Sequence, residues 1–494
     1  MNNMMKSITF IALVFILGIG PVKAAEKIDL ANVPFTDVAT FWTWEGKRLP
    51  VKNKNLFGNK ICIGGVKYDK GIAGHTGFSI VYNLSGQALS FTAEAGIDDE
   101  AHPRDPKDMK ESTVRVIVLV DRKEVFRKIV KLGEKAIPIS IDLKGRQQLE
   151  LRGEYATGFH KQRIAFANPV IETNNKADFL KKAEMWKDKV EAEKKVCIKY
   201  PPAPNWKKVK IEKVDYQGWK NSYMISNGKL ELVITPEFGG RIMSLSLKDG
   251  KNILTPNGKF KEGYMQRGTH LPDGGHFTRF QPRNYFIPSD PVVMFGKYSV
   301  EFPVEGEILL TSQKSYYFFI QCQIRIKIKE NASYLELTTT HKNIGNFSQK
   351  AGIWSITRIN SSLVKGMLVP EEMKNPPRKL NLTPENYLSK LEKKDGWLEF
   401  PVSKKFLSEL PKRASITWEE FPLSHEVKVL FADSYFVKKF KFDKTNYKHM
   451  KVFYPAHFYL CKKFLETECH GPTKELKPNR EISLTEIWEL KKLP

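Results

Sequence analysis

Apolar residues recur at every second position over most of this chain, and that period decides the class of fold. Phe78, Ile80, Tyr82 and Leu84 alternate, then Leu89, Phe91, Ala93 and Ala95. Val114, Val116, Val118 and Val120 follow, with Ile137, Ile139 and Ile141 after them and Leu149 with Leu151 beyond. Side chains two residues apart share one face of an extended strand, so each run reads as a half-buried strand. Turn residues separate the runs, Asp121-Arg122-Lys123 among them. Residues 32–173 are therefore expected to form an all-β sandwich. From Trp206 to Pro494 the pattern returns. Leu230, Leu232 and Ile234 alternate before Pro236-Glu237-Phe238-Gly239-Gly240-Arg241 turns the chain. Strands are expected over Tyr316 to Lys329, Tyr334 to Lys342, Gly352 to Ile359 and His457 to Glu468. So long a strand-rich stretch exceeds an ordinary sandwich and suits one large antiparallel sandwich.

The period changes once. Phe179, Ala183, Trp186 and Val190 fall at i, i+4, i+7 and i+11, which places an amphipathic helix between Asn174 and Val196. Tyr200-Pro201-Pro202-Ala203-Pro204 then makes a stiff extended connector. Residues 174–205 thus read as helix and linker between two domains, 32–173 and 206–494. No internal repeat or low-complexity segment breaks this plan.

Residues 1–24 read as a signal peptide. A basic start to Lys6 precedes an apolar run from Ile8 to Ile19 and the small residues before Ala25. That run is too short to span a bilayer, which takes about 20 residues. The expectation is an exported protein, periplasmic or extracellular, with no membrane span. Five cysteines do not make a disulfide framework, and Cys461 with Cys469 is one conceivable pair. A net charge of +25 would suggest nucleic acid in an intracellular protein. The lysines are spread along the chain, and no nucleic-acid motif accompanies them. A solvated basic surface and attraction to an anionic polysaccharide both fit.

The stretch Tyr68-Asp69-Lys70-Gly71-Ile72-Ala73-Gly74-His75, continued by Tyr82 and Leu84, resembles the core of the NPCBM family (novel putative carbohydrate-binding module). Ser79 stands one position from the family's serine. Gly96-Ile97-Asp98, the valine-rich strand before Asp121-Arg122-Lys123, and Phe166-Ala167-Asn168-Pro169 match further elements in order. The family often carries Asp-His before its last aromatic, where this chain has Arg163, Ile164 and Ala165. The resemblance implies a jelly-roll that binds sugars. Candidate sugar contacts are Trp42, Trp44, Tyr68 and His75. A core-packing pair also explains the two tryptophans, and a satisfied turn residue also explains the histidine.

The second region resembles the galactose mutarotase-like superfamily. Its opening hairpin is matched by Leu230 to Ile242, its Asn-x-Gly strand break by His341-Lys342-Asn343-Ile344-Gly345, and its closing strands by Phe464 to Pro472 and Glu486-Ile487-Trp488. The resemblance implies a β-supersandwich and places a catalytic carboxylate at Glu466. Glu468 shares its strand face, so the two carboxylates would raise each other's pKa. The family's histidine acid is missing from Gly352 to Arg358, so simple mutarotase activity is not expected. A Gly/Pro-rich loop offers His270, Asp273, His276 and Arg279 instead, with Arg267 and Arg283. Its arginines suit a uronate carboxylate or a sulfate.

The candidate catalytic set is Glu466, Glu468, His276 and His270. Arg241, Arg279, Trp354 and Arg358 are the candidate substrate contacts of the large domain. No cofactor or metal is expected, and the expected partner is a carbohydrate, with anionic polysaccharide among the candidates. The leading reading is an exported carbohydrate-binding protein with a glycan-targeting module and a supersandwich that binds or acts on sugars. A polysaccharide lyase, glycoside hydrolase or epimerase using Glu466 with a histidine is the alternative. A non-catalytic surface adhesion protein is the third reading.

Overall fold

The computed structural model describes residues 24–40, 49–100, 112–157, 162–255, 274–281, 290–371, 378–379, 392–409, 414–417, 424–441 and 456–494. Its architecture is all-β, in antiparallel sheets. Trp42, Trp44, His270 and residues 1–23 lie outside the described residues.

The first sandwich is two facing sheets. One runs Ile137–Asp142, Ala88–Ile97, Arg163–Thr173, Gly71–His75, Val51–Lys52, with Glu26–Asp29 on the side of Arg163–Thr173. The other runs Lys123–Lys131, Thr113–Val120, Gln148–Thr157, Phe78–Asn83, Asp37–Thr40. Between them lie the alternating residues of the sequence, Phe78, Ile80, Tyr82, Phe91, Val116, Val118 and Leu151 among them. Asp121 and Arg122 both have positive φ, as a two-residue hairpin turn matched to strand twist demands. The glycines of the Tyr68–Asp99 stretch have a packing reason. A small hairpin, Ile61–Ile63 with Val66–Tyr68, lies over the first sheet, and a Cβ on Gly96 would sit 2.3 Å from the Ile63 side chain.

The helix Lys176–Lys194 is capped by Asn175, whose side chain accepts from the Asp178 N–H. It buries Phe179, Ala183 and Val190. Phe179 joins the sandwich core and Val190 the core of the large domain, so the helix is a wedge between the two. Its last turn is tied to both sides. Lys194 pairs with Asp37 at 2.9 Å, and Glu193 accepts from the Tyr316 hydroxyl at 2.7 Å.

The large domain faces two ten-stranded sheets of described strands against each other. At the middle of one stand Gly275–Gln281, Gln349–Asn360, Phe464–Leu476 and Ala456–Leu460, in that order. At the middle of the other stand Tyr334–Asn343, Glu481–Lys492 and Ser434–Lys441. The break between Tyr334–Asn343 and Gln349–Asn360 is built by Asn343. Its amide donates to Phe347 O and Leu476 O and accepts from Gly345 N.

Two expected strands differ in extent. Tyr316 to Phe319 is a turn rather than the start of a strand, and Phe319 has a φ of 53° there. Four aromatics in a row read as strand by propensity, but here they pack under the helix and the first sandwich. His457 to Glu468 is a hairpin, Ala456–Leu460 turning into Phe464–Leu476, because Cys461 N–H closes on Phe464 O. That register separates the two cysteines. Cys469 faces Ala456, so Cys461 lies about 16 Å away along the strand. A disulfide spans at most about 7 Å between Cα atoms, and both thiols are free.

One buried ion pair ties the two large sheets. Lys438 reaches Glu486 at 3.1 Å and donates to Ser355 Oγ, Thr357 Oγ1 and Thr467 O on the opposite sheet. Trp488 Nε1 donates to the same glutamate at 3.1 Å. Both charges are fully enclosed, and each is hydrogen-bonded, which is what makes them tolerable there.

Candidate functional site

The site is built from three neighbouring strands by alternation. Gly275–Gln281 presents Phe277, Arg279 and Gln281 on one face; Gln349–Asn360 presents Trp354, Ile356 and Arg358; Phe464–Leu476 presents Glu466, Glu468 and His470. Cross-strand register lines them up in rungs. Arg358 lies opposite Glu466, Ile356 lies between Phe277 and Glu468, and Trp354 lies between Arg279 and His470.

Contacts follow the rungs. Arg358 Nε donates to Glu466 Oε1 at 2.6 Å. Trp354 Nε1 donates to Glu468 Oε2 at 2.7 Å, and His470 Nε2 stands 3.8 Å from the same oxygen. The Trp354 and His470 rings stack, with centroids 5.3 Å apart and planes at 19°. The Gln281 carboxamide meets His470 Nδ1. The Arg279 guanidinium lies 5.2 Å over Trp354, and that of Arg358 5.3 Å over Phe277. Cation–π contacts of this kind help to fix the orientation of a guanidinium.

Burial pushes Glu466 up to about 7, against the pull of Arg358, with Glu468 adding to the rise. A buried carboxyl with a like charge two residues along holds its proton. Glu466 therefore titrates near neutrality, where a group that both gives and takes protons works best.

The other candidates fall elsewhere. His276 is on the same strand as Arg279 but on its reverse face. It points between the two sheets, where Nδ1 meets Thr357 Oγ1 at 3.0 Å and the ring packs edge-on against Trp488 at 4.7 Å. Burial, then Lys438 and Arg241, hold its pKa well below the usual histidine range. It cannot reach a ligand resting against Glu466, which corrects its place in the catalytic set. The reason is strand parity: one residue's offset moves a side chain to the other side of the sheet.

Arg241 is wholly buried and donates to Gly274 O at 3.2 Å and Met294 O at 3.3 Å. Its guanidinium lies 4.4 Å over both Phe238 and Phe277. It braces the aromatic wall that backs the site. Gly239 and Gly240, at φ 64° and 57°, make the turn that delivers it. A Cβ on Gly239 would meet Met294 O at 2.2 Å, so only glycine fits.

In the first sandwich, Tyr68 and His75 are both buried. The Tyr68 hydroxyl donates to Glu94 at 3.0 Å, and burial followed by that glutamate raises its pKa to about 12. His75 pairs across the sheet with Arg163. Arg163, where the family pattern departs, donates to Glu100 O at 2.8 Å and lies 3.6 Å over the Phe57 ring.

Sequence reading missed His470. The signal was present: 466, 468 and 470 alternate, so one strand carries all three on one face. Gly471-Pro472 beyond it marked a bulge, since proline cannot donate within a ladder.

Residues 32–172 match the sequence model of the NPCBM/NEW2 domain. Comparison with curated proteins gives no match. Among solved structures, the chain is similar to the CBM51 module of a Clostridium perfringens GH95 protein in complex with methyl-galactose. The identity is 20%, over 30% of this chain and 99% of that one, at a TM-score of 0.26. A galactose mutarotase-like protein from Clostridium acetobutylicum matches at 13% identity, over 58% of this chain and 98% of its own, at 0.38. A putative aldose 1-epimerase from Escherichia coli K12 matches at 12%, over 55% and 99%, at 0.36. By its ordered motifs and by that sequence match, the first sandwich, residues 32–172, is an NPCBM/NEW2 domain.

Proposed function

We propose that this is an exported carbohydrate-active protein. Its NPCBM/NEW2 sandwich docks on a glycan, and its large sandwich acts on an anionic sugar unit at the Glu466 face. The observation that carries this reading is the Arg358–Glu466–Glu468–Trp354 array. It sets a carboxyl that titrates near 7 beside a carboxylate pinned by an indole, with two guanidinium groups and an aromatic face around them. Arginines recognise a planar carboxylate or a sulfate through paired hydrogen bonds. Uronate-bearing or sulfated polysaccharide is the substrate class that fits.

One observation favours binding without turnover. Glu466, Glu468, Arg279 and Trp354 are each less than a tenth exposed, a tight enclosure for a polymer chain. Reducing-end release and calorimetric binding over uronate-containing and sulfated polysaccharides separate the two. Turnover lost in Glu466→Gln, with binding kept, supports the acid/base reading. Binding by the wild-type protein with no release supports the second. Neither binding nor release on any member of the set would remove the proposal.

A further inference from the structure

We propose that Lys438 is a positioning residue, which from the opposite sheet sets the mutual placement of the strands that carry Trp354, Arg358, Glu466 and Glu468. The proposal rests on the reading of the Glu466 face as the place where the sugar is held.

The first observation is where the donors of this ammonium go. A lysine has three N–H groups. Those of Lys438 reach Ser355 Oγ at 3.1 Å, Thr357 Oγ1 at 3.1 Å and Thr467 O at 3.3 Å, all on the sheet opposite its own. On its own sheet Glu486 supplies the opposing charge, at 3.1 Å.

The second is what those acceptors flank. Ser355 follows Trp354, Thr357 precedes Arg358, and Thr467 stands between Glu466 and Glu468. Thr357 and Thr467 are themselves opposite one another, on the rung between Ile356–Glu468 and Arg358–Glu466. Neighbours along a strand point to opposite faces, so Lys438 grips the reverse side of the rungs that form the site. A slip of Thr357 against Thr467 is equally a slip of Arg358 against Glu466. His276 brings in the third strand, since its Nδ1 meets Thr357 Oγ1 at 3.0 Å, one residue from Phe277. That gives His276 a place behind the site rather than in it.

The third is the cost of keeping a charge there. Lys438 and Glu486 are 0% and 2% exposed. A buried ion pair is often no more stable than apolar residues of the same volume, and setting a register is its best-attested use. Apolar packing between two sheets is non-directional and fixes no such register by itself. Here the ammonium lies between the middle strands of both sheets, behind the residues whose spacing has to be kept.

The test uses the full chain with its tryptophan indoles labelled with nitrogen-15. The Trp354 resonance is identified by its loss in Trp354→Phe, and its Nε1–H, bonded to Glu468 Oε2 at 2.7 Å, reports the placement of one strand against the other. Lys438→Met combined with Glu486→Gln removes both charges together. The Trp354 resonance should then move, while those of Trp186 in the helix and Trp206 in the linker stay. Calorimetric binding of polygalacturonate or dextran sulfate should weaken about tenfold, and any reducing-end release should lose about 10²-fold in kcat, the range of a misplacement of about 1 Å. Both effects should persist although chemical denaturation shows the paired change to have regained stability, which a merely structural lysine would not give. An unmoved Trp354 resonance, an unchanged affinity, or an equal shift of all three tryptophans overturns the proposal and leaves the reading of the face standing. A wild-type protein that neither binds nor cleaves the probes removes that reading and the proposal with it. If the paired variant fails to fold, Thr357→Val decides, because it keeps the ion pair and takes away one of the three acceptors. A moved Trp354 resonance with weaker binding supports the proposal there, and an unchanged protein overturns it.

Discussion

Glu466 shows how one buried carboxyl sets both chemistry and stability. Its folded pKa of about 7 lies above its ordinary 4.5, so the folded protein keeps a proton that the unfolded chain has lost. Stability from this group is full below 4.5 and is lost as pH rises through 7. Asp290, raised to about 6 by burial, acts in the same direction over a lower window. The melting temperature should therefore fall from pH 4.5 to 7, and Glu466→Gln should flatten the upper part of that fall. An equal slope in both proteins would show that Glu466 is ionised throughout. Lys438 gives a second test at this scale. Lys438→Met leaves Glu486 buried without its cation and should cost about 3–5 kcal/mol in chemical denaturation. Adding Glu486→Gln, which keeps an acceptor for Trp488, should recover a large part of it. The glutamates were legible in the sequence because alternation fixes a shared face. Parity should likewise have set His276 apart from Arg279. The inward bond of His276 to Thr357 depends on a strand 81 residues away, and no local pattern encodes it.

At the scale of elements, the strands were readable and their ends were not. Alternation in Phe78–Asn83, Thr113–Val120 and Leu230–Thr235 names the residues that fill each core, although the reverse faces of these strands are largely buried as well. The Tyr316 to Phe319 turn was hidden because aromatics favour strands, and only its tertiary partners bend it. The bulge at Gly471-Pro472 depends in turn on Gly352 across the ladder. A Cβ there would sit 2.6 Å from Thr473 Oγ1 and 2.9 Å from Pro472 O. Gly352→Ala should force the strands apart and cost about 1–3 kcal/mol by overpacking. It should weaken ligand binding at the Trp354 face more than at the first sandwich. Equal effects on both would mean that the bulge does not shape the site.

Across the whole molecule, the two sandwiches share a buried seam. Ala39, Val81 and Val190 pack into the core of the large domain. Glu150, wholly enclosed on the outer face of the second sheet, pairs with Arg122 at 2.7 Å and with Arg152, and Ser79 donates to it. Burial pushes its pKa up, but the two arginines outweigh burial and hold it below the usual range. Arg122 lies 4.6 Å over Phe318, one of the four turn aromatics, and Asn346 donates to Gln147. Glu150→Ala should cost about 3–5 kcal/mol and split a single calorimetric transition into two. One sharp transition in the variant would show that the seam does not couple the domains. The seam also bears on any use of the sandwich as a portable affinity tag. Cut free, it would bring Val81 and a carboxylate clamped by two guanidinium groups to its surface, and would lose the helix that buries Phe179. A reagent made from this module has to begin by redesigning that face, or by carrying the helix along.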